Sequence, residues 1–157
     1  MASTQAGAVT PGDAVLFAYD GSELAAFAIE ESARQLAAGR EALVLCVWQP
    51  ADVGFSPVGQ RHLDADQAVE VQRAAEETAA HGAALAAKAG FRPQSMAVKA
   101  APTWKGIVET AEQYRASLIV LGSHRRAGLT GHLLGSVAAA VVAHSTSSVL
   151  VVHHQGP

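Results

Sequence analysis

Short apolar runs alternate along this chain with longer stretches that carry helical spacing, and this alternation is its strongest constraint. A strand with one wet face alternates apolar and polar residues, whereas a strand covered on both faces reads as a continuous apolar run. Val15-Leu-Phe-Ala-Tyr19, Ala42 to Trp48 and Leu118-Ile-Val-Leu121 are such runs. Gln94 to Ala100 and Val149 to Val152 complete a set of five expected strands, the fourth beginning at Ser117. Strands joined through helices, rather than by tight turns, pair in parallel.

The pattern βαβαβαβαβ therefore predicts an α/β domain with a doubly wound, five-stranded parallel sheet, Rossmann-like, with helices on both faces. The expected strand order is 3-2-1-4-5. Ser22 reads as the N-cap of a helix with apolar positions at Ala25, Ala28, Ile29, Ala33 and Leu36, stopped at Gly39. An Ala/Glu-rich helix is expected from Asp64 to Ala89, slightly broken at Gly82 and punctuated by Gly90. Pro102 pre-sets a helix over Thr103 to Tyr114, and the last helix runs from Gly135 to His144. Residues 1–12 read as a flexible lead-in and 13–157 as one domain. Gln49 to Leu63 holds Pro50, Gly54, Pro57 and Gly59 without periodicity, which suggests a lid or flap.

In this topology ligands lie beyond the carboxyl ends of the strands, where the winding reverses. The reversal falls between the first and fourth strands, so Asp20 and Gly122, each expected just past a strand end, meet in one crevice. The stretch GSHRRAGLTGHLLGS, from Gly122 to Ser136, joins the fourth strand to the last helix. Such a loop offers backbone N–H groups at its turn and at the helix N-terminus, a setting that attracts anions. A nucleotide phosphate is the default ligand.

Composition narrows the classes. The 157 residues are 50% hydrophobic and 16% charged, so a buried core is expected rather than disorder. With a net charge of −3, a surface that neutralises many nucleic-acid phosphates is not expected. No segment reaches the roughly 18 apolar residues that cross a bilayer, and Met1 to Gly12 lacks the pattern of a signal peptide. The lone cysteine, Cys46, sits in an apolar run and reads as a small buried hydrophobe. A soluble, cytoplasmic protein is the expectation.

The chain resembles the universal stress protein family from Val15 to Val152. The resemblance rests on YDGS (Tyr19 to Ser22), the triplet Leu45-Cys46-Val47 at the end of strand two, the stretch SLIVLGSH, and the ending GSVAAAVVAHSTSSVLVV. Nucleotide-binding members carry G-x-x-G, nine residues, then G-S/T; Gly122, Gly135 and Ser136 match three of the four fixed positions. The resemblance implies a usually dimeric protein binding ATP or AMP with Mg²⁺ or Mn²⁺, and a stress-induced regulator rather than an enzyme with a settled reaction. It puts Ala18 and Asp20 under the sugar and phosphates and the Val47 backbone at the adenine. It also gives the phosphates to Gly122, Ser123, His124, Arg125, Arg126 and Gly128, and to Gly135, Ser136 and Val137.

Arg125 departs from the motif, standing where its second glycine belongs. A positive φ there would strain it by about 1 kcal/mol or more, and its side chain could obstruct a phosphate. A guanidinium beside phosphates could equally form strong charge-assisted bonds. Two rival readings stay open: a dimeric interaction protein that needs no nucleotide, and a slow ATPase. The chain lacks G-x-x-x-x-G-K-[ST], which weighs against the second. His124 and His132 have no carboxylate or cysteine at ligand spacing, so no metal site is expected from protein ligands. Asp20 can also serve as an Asx-turn acceptor, Ser136 as a helix cap, and Trp48 as either ligand cover or packing. The apolar C-terminal strand would be a hazard if left unpaired, so it is the expected homodimer contact.

Overall fold

Along the chain follow β1 (Val15–Ala18), α1 (Glu23–Gln35), β2 (Glu41–Trp48), α2 (Ala65–Lys88), β3 (Arg92–Lys99), α3 (Thr103–Gln113), β4 (Leu118–Ser123), α4 (Ser136–His144) and β5 (Ser148–His153). They come from a computed structural model that describes residues 12–49, 65–123 and 134–154. All strand pairs are parallel, and the sheet order is β3-β2-β1-β4-β5, as the alternation predicts.

Side-chain alternation divides each strand between two helical layers. Val15, Phe17, Val44 and Val120 point to one face and pack with Ala25, Ala28 and Ile29 of α1 and Ala86 of α2. Leu16, Leu43, Leu45, Ile119 and Leu121 point to the other, against Ile107, Val108 and Ala111 of α3 and Ala138 and Val141 of α4. Both faces are dry, which is why β1 and β2 read as unbroken apolar runs. Trp104 stacks on His144 with ring centroids 4.2 Å apart and ties α3 to α4.

Several boundaries differ from the sequence reading for physical reasons. β1 ends at Ala18, and β4 continues through Gly122 and Ser123 because β5 extends the ladder there, pairing Gly122 with Val152 and Ser123 with His153. Gly122 is thus the penultimate residue of a strand, not the first residue of a loop. β3 begins at Arg92 and includes Pro93, which an edge strand tolerates. α1 stops at Gln35, and Gly39 serves the following turn with φ +79°.

The helix α2 is not broken at Gly82. There the missing side chain makes room: a Cβ would come within 2.6 Å of the Tyr19 ring and 2.8 Å of Val44. Of the expected lead-in only Gly12 falls within the described residues, and of the expected flap only Gln49.

Candidate functional site

The chain leaves β1 toward α1 on one face of the sheet and leaves β4 toward α4 on the other. Diverging connections between neighbouring strands open a crevice at their carboxyl ends. Here it is a cavity of about 190 Å³ between β1, β2 and β4. Ala18, Asp20, Val47, Gly122 and Val137 all line it, five positions drawn from four separate parts of the chain.

Asp20 is exposed and follows β1 by two residues. Its Oδ1 accepts the Ser22 N–H at 2.9 Å, and Gly21, at φ +85°, makes the turn possible. The Ser22 hydroxyl in turn accepts the Ala25 N–H at 3.2 Å and caps α1. The Asx-turn role of Asp20 is therefore real. Its second carboxylate oxygen makes no bond among the described residues.

Gly122 has a packing role beside its place in the crevice. A Cβ there would meet the Leu24 Cγ at 2.7 Å and the Leu24 carbonyl oxygen at 3.0 Å, so only glycine lets α1 lie this close to β4. Gly106 does the same for α3, where a Cβ would fall 2.7 Å from Ala100 and 3.1 Å from Val47. Val47 stays half-buried on the crevice side, forming an apolar wall with Leu45 and Ile107.

Of the helices that begin at this end of the sheet, α1, α3 and α4 contribute Ser22, Thr103 and Val137, from their first turns or caps, to the cavity lining. Of the three, α1 is capped by a side chain, whereas α3 and α4 start from Pro102 and Gly135 with no side-chain cap. In α3 the Lys105 N–H already bonds the Pro102 carbonyl at 3.1 Å, and the other first-turn N–H groups of α3 and α4 face no capping side chain from Pro102 or Gly135. Gly135, not Ser136, is the N-cap of α4, because its carbonyl accepts the first helical bond, from Ala139 N–H at 2.9 Å. Ser123 is buried, and its Oγ accepts the Gly135 N–H at 3.1 Å, joining the end of β4 to the start of α4. His124, Arg125, Arg126, Gly128 and His132 lie outside the described residues.

Trp48 points to the opposite face. It is buried with Cys46 against Ala75 and Ala79 of α2, and Lys99 Nζ lies 5.8 Å from its ring centre. Its role is packing, and Cys46 is a buried small hydrophobe as expected. Tyr19, also buried, reaches His81 of α2 with its hydroxyl at 2.8 Å from Nδ1. Burial, then the charge of Asp20 and that of Cys46, raise its pKa above the ordinary 10.0.

Among the lining residues that the sequence reading missed are Leu45, Thr103, Ile107 and Leu121. The three aliphatic ones look like core in any sequence. Thr103 carried a usable signal: it opens a helix that follows a parallel strand, so it belongs at the same sheet end as Ser22 and Gly135. Asp20 is the one carboxylate among the described lining residues. Among the described residues no group of three or more His, Cys, Asp or Glu side chains could hold a metal ion. No described helix is long and apolar enough to cross a membrane.

The family model for universal stress proteins matches residues 13–153. A curated universal stress protein from Mycolicibacterium smegmatis is 36% identical over 152 residues, covering 88% of this chain and 45% of the relative. The chain therefore spans about half the length of the curated relative that it matches. A universal stress protein solved in complex with cAMP is 25% identical, with a TM-score of 0.57 over 92% of this chain and 98% of that one. The universal stress protein from Archaeoglobus fulgidus solved in complex with dAMP is 21% identical, with a TM-score of 0.55 over 91% and 98% of the two chains.

Proposed function

The chain belongs to the universal stress protein family, and on that premise we propose that it binds an adenine nucleotide, ATP or AMP, and works as a regulatory, stress-survival module rather than as an enzyme. The observation that carries this reading is the convergence of Ala18, Asp20, Val47, Gly122 and Val137 on one crevice, facing uncapped helix N-termini. The complexes of its relatives with cAMP and dAMP support the same ligand class.

In this reading the base lies against Leu45, Val47 and Ile107, and the phosphates take the N–H groups at the start of α4 and in the Gly122–Gly128 stretch. The donor set suits a divalent cation only in partnership with phosphate: Asp20 supplies one carboxylate, and phosphate oxygens supply the remaining charge. Mg²⁺ or Mn²⁺ held there would neutralise charge between Asp20 and the phosphates. A ligand bound to the folded state alone, at a hundred times its Kd, stabilises it by about 2.7 kcal/mol, which gives the nucleotide a handle on the protein's lifetime and surface.

A homodimer through β5 is part of the proposal. That strand is at the sheet edge, and its outer backbone groups have no partner strand among the described residues. Size-exclusion chromatography with light scattering at micromolar concentration reads the state directly, and a monomer there removes the dimer. A cytoplasmic setting agrees with a single, buried cysteine.

Arg125 favours a second reading, a dimeric interaction protein whose altered motif is only a turn. Isothermal titration with ATP, ADP, AMP and cyclic AMP in the presence of Mg²⁺ separates the two. Heat of binding with at least one nucleotide is expected; no heat with any of the four removes the nucleotide reading.

A further inference from the structure

Strand alternation turns the last three residues of β4 to different faces. Leu121 packs toward α3 and α4, Gly122 faces Leu24 of α1, and Ser123 turns back toward α4. Ser123 is only 2% exposed and is not among the described residues that line the crevice. Its backbone is fixed as well, because the ladder pairs it with His153 of β5. A buried hydroxyl on a paired strand end acts on protein rather than on a ligand.

Its partner is the Gly135 N–H, which donates to Oγ at 3.1 Å across 12 residues of sequence. The Gly135 carbonyl already accepts the Ala139 N–H at 2.9 Å, the first helical bond of α4. Both backbone groups of this N-cap are therefore committed, one to the helix and one to the end of β4. The N–H groups of the next two residues, Ser136 and Val137, meet no capping side chain, and Val137 lines the crevice. The serine thus fixes the helix end whose free amides follow directly.

We propose that Ser123 is a positioning residue for phosphate binding: it anchors the start of α4 so that the Ser136 and Val137 amides stand ready for the phosphates, and it does not touch them itself. The proposal rests on the adenine-nucleotide reading and deepens it. The family resemblance gives Ser123 a direct phosphate contact, and its burial replaces that with an indirect role. Amides already held in place bind more tightly than amides that must be ordered by the ligand. The aliphatic wall of Leu45, Val47 and Ile107, where the base lies in that reading, makes no use of this anchor.

The test is titration calorimetry of the wild-type chain and Ser123→Ala with AMP and with adenosine, which lacks the phosphate. Gly135 is exposed, so water can take its N–H in the variant and the fold should persist. Thermal midpoints check this, and Ser123→Cys, of similar size and a weak acceptor, takes its place if the alanine variant is unfolded. Ser123→Ala is expected to weaken AMP about tenfold and leave adenosine within about twofold. Amide exchange of the ligand-free proteins reads the anchor itself: Gly135 should exchange faster in the variant, while Val141 within α4 keeps its protection. Unchanged AMP affinity, an equal loss for AMP and adenosine, or unchanged Gly135 exchange each overturns the role of Ser123. Where adenosine binds too weakly to titrate, AMP loss together with faster Gly135 exchange sustains it. A wild type that binds neither ligand overturns the nucleotide reading, and this role with it.

Discussion

Gly122 and Leu24 touch where α1 crosses β4: a side chain on the glycine would press to 2.7 Å from the leucine Cγ and 3.0 Å from its carbonyl oxygen. The second of these is backbone and cannot rotate away. Gly122→Ala must therefore push α1 off the sheet or bend β4. Overpacking of this kind typically costs about 1–3 kcal/mol. Chemical denaturation should show that loss, and because the same residue lines the crevice, nucleotide affinity should fall with it. A variant as stable as the wild type would mean that α1 does not rest on this glycine.

Gly82→Ala opposes two effects. Alanine is favoured over glycine inside a helix by about 1 kcal/mol. Its Cβ, however, would stand 2.6 Å from the Tyr19 ring and 2.8 Å from Val44, both buried. Steric strain of about 1–3 kcal/mol outweighs the propensity gain, so a net loss of stability is expected in urea melts. A stabilised variant would show that the Tyr19 ring can yield.

Tyr19 links stability to alkaline pH. Its folded pKa is raised above 10.0, by burial first and then by the charges of Asp20 and Cys46. The folded state thus holds the phenolic proton more tightly than the unfolded chain. Its contribution is fully present below pH 10.0 and is lost as pH rises through the folded value. Urea midpoints from pH 8 to 11, on the order of this titration, should fall at the alkaline end. Tyr19→Phe should make that decline shallower, and an identical decline in both proteins would exclude Tyr19 as a source.

Asp20→Asn separates the turn from the charge. An asparagine Oδ1 can accept the Ser22 N–H as the carboxylate does at 2.9 Å, so stability should stay within about 0.5 kcal/mol. What it removes is the negative charge in the crevice. If a divalent cation links Asp20 to phosphate, adding Mg²⁺ should strengthen ATP binding to the wild type and have little effect on the variant. Equal Mg²⁺ dependence in the two would take Asp20 out of that role.

Arg125→Gly restores the family's second motif glycine. A guanidinium bound to phosphate is worth about 1.5–3 kcal/mol in charge-assisted bonds, so its removal should weaken AMP binding by about tenfold or more. The loss should be smaller in high salt. A gain in affinity would instead identify the arginine as an obstruction and favour the nucleotide-independent reading.

The sequence by itself determined the sheet, because a strand buried on both faces must be apolar throughout and strands joined by helices must run parallel. Ser22 as a cap, and Asp20 and Val47 at strand ends, were legible for the same local reasons. The tertiary structure alone decided which face of β2 meets which helix. Neighbouring residues on a strand point oppositely, so Val47 lines the crevice while Trp48 packs on α2, and nothing local distinguishes those two outcomes. It likewise decided that Gly82 is a notch for Tyr19 rather than a break in a helix. The Gln49–Thr103 bond was equally out of reach, since it joins residues far apart in sequence and depends on how close α3 lies to β2. Close approach between elements is a property of packed volumes, which only the assembled layers define.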